Sequence, residues 1–274
     1  QPRRFIMSLI PQLMSGRSLE HDGVTEKQWV DRGAETYVTL FSDFIQDIGE
    51  TMNLPFVAAE AGTTGATIAF IDAADGVFRL AHNGTNETQA VGITLGGTNA
   101  IAAKDSAGNS NEVILEVRAK ITFATDTFFE AASVYEVIIG LATADTAISV
   151  SAATFDGAAD NVGFRLGGGA QATNSIFLES DDGATSNDND DVDSGIDFTD
   201  ATYHVYRIDM TDLSNVQFYV DNVLANNGNT FSISDIAAAD LLEPYILFAR
   251  TSDGGTERAH TMDIDYIKCT WKRS

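Results

Sequence analysis

The chain has 274 residues, with 40 acidic against 16 basic side chains and a formal net charge of −24. That balance works against direct nucleic-acid binding, which needs clustered Lys and Arg against the phosphates, and no apolar run is long enough to cross a bilayer as a helix. The 44% hydrophobic content suffices for one large core, and the single cysteine, Cys269, excludes an intramolecular disulfide.

Residues 1–35 read as an N-terminal arm, and 36–274 as the folded body. The first acid is Glu20, so the start of this acidic chain is net positive, through Arg3, Arg4 and Arg17. Phe5, Ile6, Leu9, Ile10, Leu13 and Met14 add apolar anchors. The apolar part is short, is broken by Ser8, Pro11 and Gln12, and precedes no small-residue cleavage site, so it reads as an extended arm rather than a signal peptide. A segment that is basic, apolar and outside the body needs another surface to bury it.

From residue 36 the chain reads as strands. Thr36–Phe41 is rich in strand formers, and a short helix is expected over 42–50. Thr67–Ile71 and Val77–Ala81 are strands split by the turn signal Asp72–Gly76. Gln89–Leu95 follows, then Glu112–Phe123, where Val113, Leu115, Val117, Ala119, Ile121 and Phe123 share one face. Val134–Leu141 is almost continuously apolar and belongs at the centre of a sheet. Val162–Leu166 and Ser175–Glu179 come next. An acidic loop is then expected, with nine acids and no base between Glu179 and Asp200. In Tyr203–Met210, His204, Tyr206, Ile208 and Met210 share one face, and Val216–Val220 turns at Asp221-Asn222. Tyr245–Arg250 and Met262–Trp271 close the set, with Cys269 as a small core residue between Ile267 and Trp271. The class is all-β, a sandwich with Gly, Asn and Asp at the bends.

The run His204-Val-Tyr-Arg-Ile208, then Val216-Gln-Phe-Tyr-Val-Asp-Asn-Val223, then Asp265-Tyr-Ile-Lys268 resembles the C-terminal half of concanavalin A-like jelly rolls, the sandwich of laminin-G modules, lectins and many glucanases. The resemblance implies a concanavalin A-like jelly-roll β-sandwich carrying the N-terminal arm. It leaves function open, because that sandwich hosts enzymes, sugar binders and virion proteins.

Three chemistries can be weighed on such a frame. Glucanases of this fold carry carboxylates in an E-x-D-x-E pattern, whose alternation points them into one cleft. Here Glu112 and Glu116 flank Ile114, and Asp263-Ile-Asp265 lies on the closing strand, so hydrolysis is not expected. The four histidines are scattered, and neither a Gly-x-Ser-x-Gly nor a His-Glu-x-x-His motif occurs. Asp188, Asp190, Asp191 and Asp193 offer hard oxygen ligands for Ca²⁺, without the spacing of an EF-hand; the alternative is a solvated, self-repelling loop. Tyr203, Tyr206, Tyr219 and Trp271 are the aromatics available to a glycan, though strand aromatics more often face the core. Asn86-Glu-Thr88 fits a glycosylation acceptor.

A second resemblance covers residues 36–165. It consists of Leu40-Phe-Ser-Asp-Phe-Ile45, Gly76–Leu80, Glu112–Thr122, Ile139–Asp145 and Asp160–Phe164. These look like tailed-phage virion proteins that decorate or cement the capsid. The resemblance implies a non-enzymatic role on the virion surface as a homotrimer against the major capsid protein. The arm, Arg3 to Met14 with Arg17, would then be the capsid anchor, and removing residues 1–20 should abolish or sharply weaken attachment while leaving the sandwich folded. The alternative is a lectin-like carbohydrate-binding module.

Overall fold

The computed structural model describes residues 17–21, 27–31, 37–42, 57–71, 76–83, 87–96, 100–123, 135–144, 146–150, 153–167, 174–251 and 260–272. Among them the strands are β1 (Arg17–His21), β2 (Lys27–Asp31), β3 (Tyr37–Ser42), β4 (Val57–Gly62), β5 (Thr67–Ile71) and β6 (Val77–Ala81). Next come β7 (Gln89–Thr94), β8 (Ile101–Ala102), β9 (Val113–Thr122), β10 (Tyr135–Thr143), β11 (Asn161–Gly167) and β12 (Ser175–Asp181). The last six are β13 (Asn189–Asp197), β14 (Tyr203–Met210), β15 (Gln217–Val220), β16 (Val223–Leu224), β17 (Leu241–Arg250) and β18 (Thr261–Lys272). A one-turn helix, α1 (Ala153–Asp156), precedes β11.

Two antiparallel sheets form the sandwich. The first runs β13-β12-β11-β10-β17-β7-β4, with β8 added to β17. The second runs β16-β15-β14-β9-β18-β6-β5, with β3 added to β18. Within residues 1–35, β1 and β2 form a hairpin of their own, with Arg17 opposite Asp31. Arg3 to Met14 lie outside the described residues, as do 43–50, where a helix was expected.

The second sheet follows the alternation rule. β9 and β14 each place every second residue in the core, so Val113 to Ile121 and His204 to Met210 face the first sheet. Asp221 (φ 51°) and Asn222 (φ 65°) make the two-residue turn from β15 to β16. Positive φ at both positions is the type I′ geometry that matches strand twist. Cys269 is buried in the core, and burial pushes its thiol up to about 12.

The middle of the first sheet is buried on both faces. β7 is buried along its whole length and β10 along nearly all of it, at the centre of the sheet as its apolar run implies. The cover is residues 146–150 and 153–158, which cross the outer face. Phe155, Ala158, Ile148 and Val150 pack there with Ala90, Ile138, Tyr245, Leu247 and Ala249 as a second, smaller core. The Tyr245 hydroxyl donates to the Ala147 carbonyl at 3.1 Å. Gly140 and Gly163 are cross-strand partners and make a slot for Phe155; a Cβ on Gly163 would stand 2.8 Å from the Phe155 ring.

One expectation changes. The stretch around Asp188–Asp193 is not a loop, because residues from Asn189 on form the edge strand β13. An edge strand has one bonded neighbour, and charged side chains are what keep it from pairing with another chain. The closing strand β18 lies between β9 and β6, so Asp263 and Asp265 sit mid-sheet.

Candidate ligand-binding face

The outward face of the second sheet collects charge and aromatic rings. Among the described residues six basic side chains lie on it: Arg79, Arg118, Lys120, Arg207, Lys268 and Lys272. At one end Asp263, itself 1% exposed, takes two bonds from Arg79 (2.6 and 2.9 Å) and an ion pair from Lys120 (3.0 Å). Burial works against its charge, but the bonds from Arg79 and Lys120 outweigh that and hold the carboxyl below its ordinary value. Arg118 pairs with Asp265 and lies 4.5 Å from the Tyr203 ring centre. A register shift between Ile264 and Tyr266 puts Tyr266 opposite Arg118, and its hydroxyl donates to Glu116 at 2.7 Å.

A groove of about 290 Å³ opens further along the same face, lined by Ile114, Glu116, Arg207, Asp209, Lys268 and Thr270. These residues come from β9, β14 and β18, which run side by side. Glu116 is the register partner of both Arg207 and Lys268. The Arg207 guanidinium lies over Tyr219 at 4.1 Å, and Asp209 accepts from the Thr211 amide (3.1 Å) and hydroxyl (2.6 Å). Such a groove offers donors and acceptors within reach of tyrosine rings.

The expected sugar-binding aromatics divide. Tyr206 is core, against Phe164 at 5.3 Å, and Trp271 packs on the core. Tyr203 and Tyr219 are half-buried on the outward face. Tyr266 and the exposed Phe41, with ring centres 6.1 Å apart, were not anticipated as part of it. The signal available was Tyr266 in step with Lys268 and Thr270 on the polar face. Asn86 lies outside the described residues.

The first sheet carries a different cluster. Arg165 on β11 is surrounded by Glu179 (3.2 Å), Asp191 (3.3 Å), Asp156 (3.5 Å) and Glu136 (3.6 Å). Asp191 is thus tied to an arginine. Asp193 accepts from the Gly195 amide at 2.8 Å. Among the described residues no group of three or more His, Cys, Asp or Glu side chains is placed to hold a metal ion, Asp188, Asp190, Asp191 and Asp193 included.

Glu179 is 1% exposed. Burial, then the charges of Asp156 and Asp191, push its carboxyl up to about 8 from 4.5 against the pull of Arg165. A raised carboxyl contributes its full stability below pH 4.5 and loses it as pH rises towards 8. Glu179→Gln should therefore remove part of the decline in stability between pH 5 and pH 8, by about 2 kcal/mol. Urea melts of both proteins at the two pH values check this; parallel declines would show that Glu179 ionises normally.

No family model matches the chain, and no curated protein matches it. Solved structures do. Lectin UEA-II complexed with galactose is 10% identical, with a TM-score of 0.56 over 86% of this chain and 99% of that one. Peanut lectin is 10% identical, with a TM-score of 0.53 over 87% and 99%. The carbohydrate recognition domain of Emp47p is 10% identical, with a TM-score of 0.51 over 86% and 95%. The fold is a concanavalin A-like jelly roll. At such identity the likeness shows the fold alone, and the site has to be argued from this chain's own residues.

Proposed function

We propose that this jelly roll is a lectin-like glycan-binding module without hydrolytic activity, and that it takes its ligand in the groove between β9, β14 and β18. The observation that carries the reading is the groove itself: Glu116, Asp209 and Thr270 face Arg207 and Lys268 beside Tyr219. Vicinal sugar hydroxyls need donors and acceptors together, and tyrosines give their apolar faces a platform. Ile114 lines the groove where the glucanase pattern has a carboxylate, so the catalytic set is incomplete. On a glycan array the protein should bind at least one saccharide class. Tyr219→Ala and Asp209→Ala should each weaken that binding about tenfold, roughly 1.4 kcal/mol, and no reducing ends should be released. Binding unchanged by both variants would rule the groove out.

The second reading is capsid decoration as a trimer on the virion surface. It is favoured by the resemblance of residues 36–165 to phage decoration proteins. Much of that pattern falls on buried positions of β6, β9, β10 and β11, where it serves the sandwich itself. Since β1 begins at Arg17, the clean test deletes residues 1–16. Loss of attachment to purified capsids with an unchanged melting curve would support this reading, and unchanged occupancy would reject it.

A further inference from the structure

We propose that the groove is selective for acidic saccharides, with Arg207 and Lys268 receiving a sugar carboxylate; this rests on the glycan-binding reading above. Four of the six cations described on the outward face already have a carboxylate partner. Arg79 and Lys120 pair with Asp263, Arg118 with Asp265, and Lys272 with Glu112 at 3.7 Å. Arg207 and Lys268 are different, because neither has a carboxylate within 4.0 Å among the described residues. These are the two cations that line the groove. Beside them Glu116 spends one oxygen on the Tyr266 hydroxyl and Asp209 spends one on Thr211, which leaves each carboxylate a second oxygen for sugar hydroxyls. The groove thus keeps acceptors for hydroxyls and adds two cations that no carboxylate of the described residues pairs, which suits a sugar that also carries an anion.

Position and stiffness agree. Arg207 and Lys268 stand one on each side of Glu116, on strands β14 and β18, two strand spacings or about 10 Å apart. Tyr219 at 4.1 Å holds the guanidinium flat, and the Arg207 Nε is buried with no hydrogen-bond partner among the described residues. A planar guanidinium matches a carboxylate through paired bonds, and such charge-assisted bonds are stronger than neutral ones. The chain's net charge of −24 opposes any anion at long range. At physiological salt the Debye length is about 8 Å, so the charges nearest the ligand decide.

The test uses the whole chain against uronate oligosaccharides and their methyl esters, which keep the sugar and remove the charge. A matched sulfated set is the third arm, and titration calorimetry at low and high salt is the readout. Uronates should bind at least tenfold more tightly than their esters, with affinity falling as salt rises. Arg207→Gln and Lys268→Gln should each weaken uronate binding about tenfold and ester binding by much less, so that the preference for the acid shrinks. Lys268→Gln does not touch Tyr219, so it stands if Arg207→Gln disturbs the fold. Esters binding as well as the acids would overturn the acidic preference and leave the glycan reading intact. Preference for the sulfated set would overturn the carboxylate assignment. Uronate binding unchanged by both variants, or absent for every saccharide, would overturn this inference and the groove together.

Discussion

Arg250→Met should cost about 3 kcal/mol and lower the melting temperature by roughly 6–12 °C. Arg250 is fully buried at the end of β17. Its Nε donates to the Glu87 carbonyl (3.1 Å), Nη1 to the Asn83 carbonyl (2.9 Å) and Nη2 to the Asn83 side-chain oxygen (3.2 Å). Methionine keeps the apolar stem and removes the donors, so acceptors at both residues lose a partner inside the protein. The neighbouring His82 shows how dry the region is. Its ring stacks on Phe248 at 4.2 Å, Nε2 bonds the Phe248 carbonyl at 3.0 Å, and Nδ1 has no hydrogen-bond partner. Burial, then the charge of Arg250, pushes the imidazole down to about 3 from 6.5. A depressed histidine contributes stability above pH 6.5 that is lost as pH falls towards 3. Thermal melts and amide exchange across β7 would measure the Arg250 effect. A variant that melts with the wild type and keeps β7 protected would show that these bonds contribute little.

Asp263→Ala should cost about 2–3 kcal/mol, toward the lower end for breaking a buried ion pair. The discount comes from the partners: the Arg79 and Lys120 side chains are 35% and 27% exposed, so water relieves part of their repulsion once the carboxylate is gone. Asp263→Asn keeps the shape and should lose about half as much. The wild-type carboxyl is held below its ordinary 3.8, so its stabilisation is present above pH 3.8 and disappears as pH falls through the lower folded value. The gap between wild type and Asp263→Asn should therefore close in strong acid. Urea midpoints at pH 7 and in strong acid decide it: a gap that stays constant would mean the charge is not what Asp263 contributes.

The second sheet was legible in the sequence because one of its faces meets water. Val113 to Phe123 and Tyr203 to Met210 alternate strictly, and that alternation alone assigns the faces. The edges were less legible. Val57–Gly62 is alanine-rich with weak strand propensity, and the acids of Asn189–Asp197 look like a loop until their place at a margin is known. The groove was not legible, because it takes residues from β9, β14 and β18, more than 150 positions apart at the extremes. What the local pattern did supply was the outward row on each strand. The tie between Arg165 and carboxylates on four other elements, and the buried Arg250, are likewise products of packing. Arg250 gave one faint sign: a lone cation closing an apolar strand.

The cover of residues 146–150 and 153–158 over the first sheet gives the module a front and a back. One side of the sandwich is roofed by its own chain, with Phe155 set in a slot that two facing glycines leave open. A ligand or neighbour that approaches broadside meets this roof on one side and the open tyrosine-lined sheet on the other. The roofed side is then the place for a fluorophore or surface tether, since an attachment there leaves the groove pointing into solution.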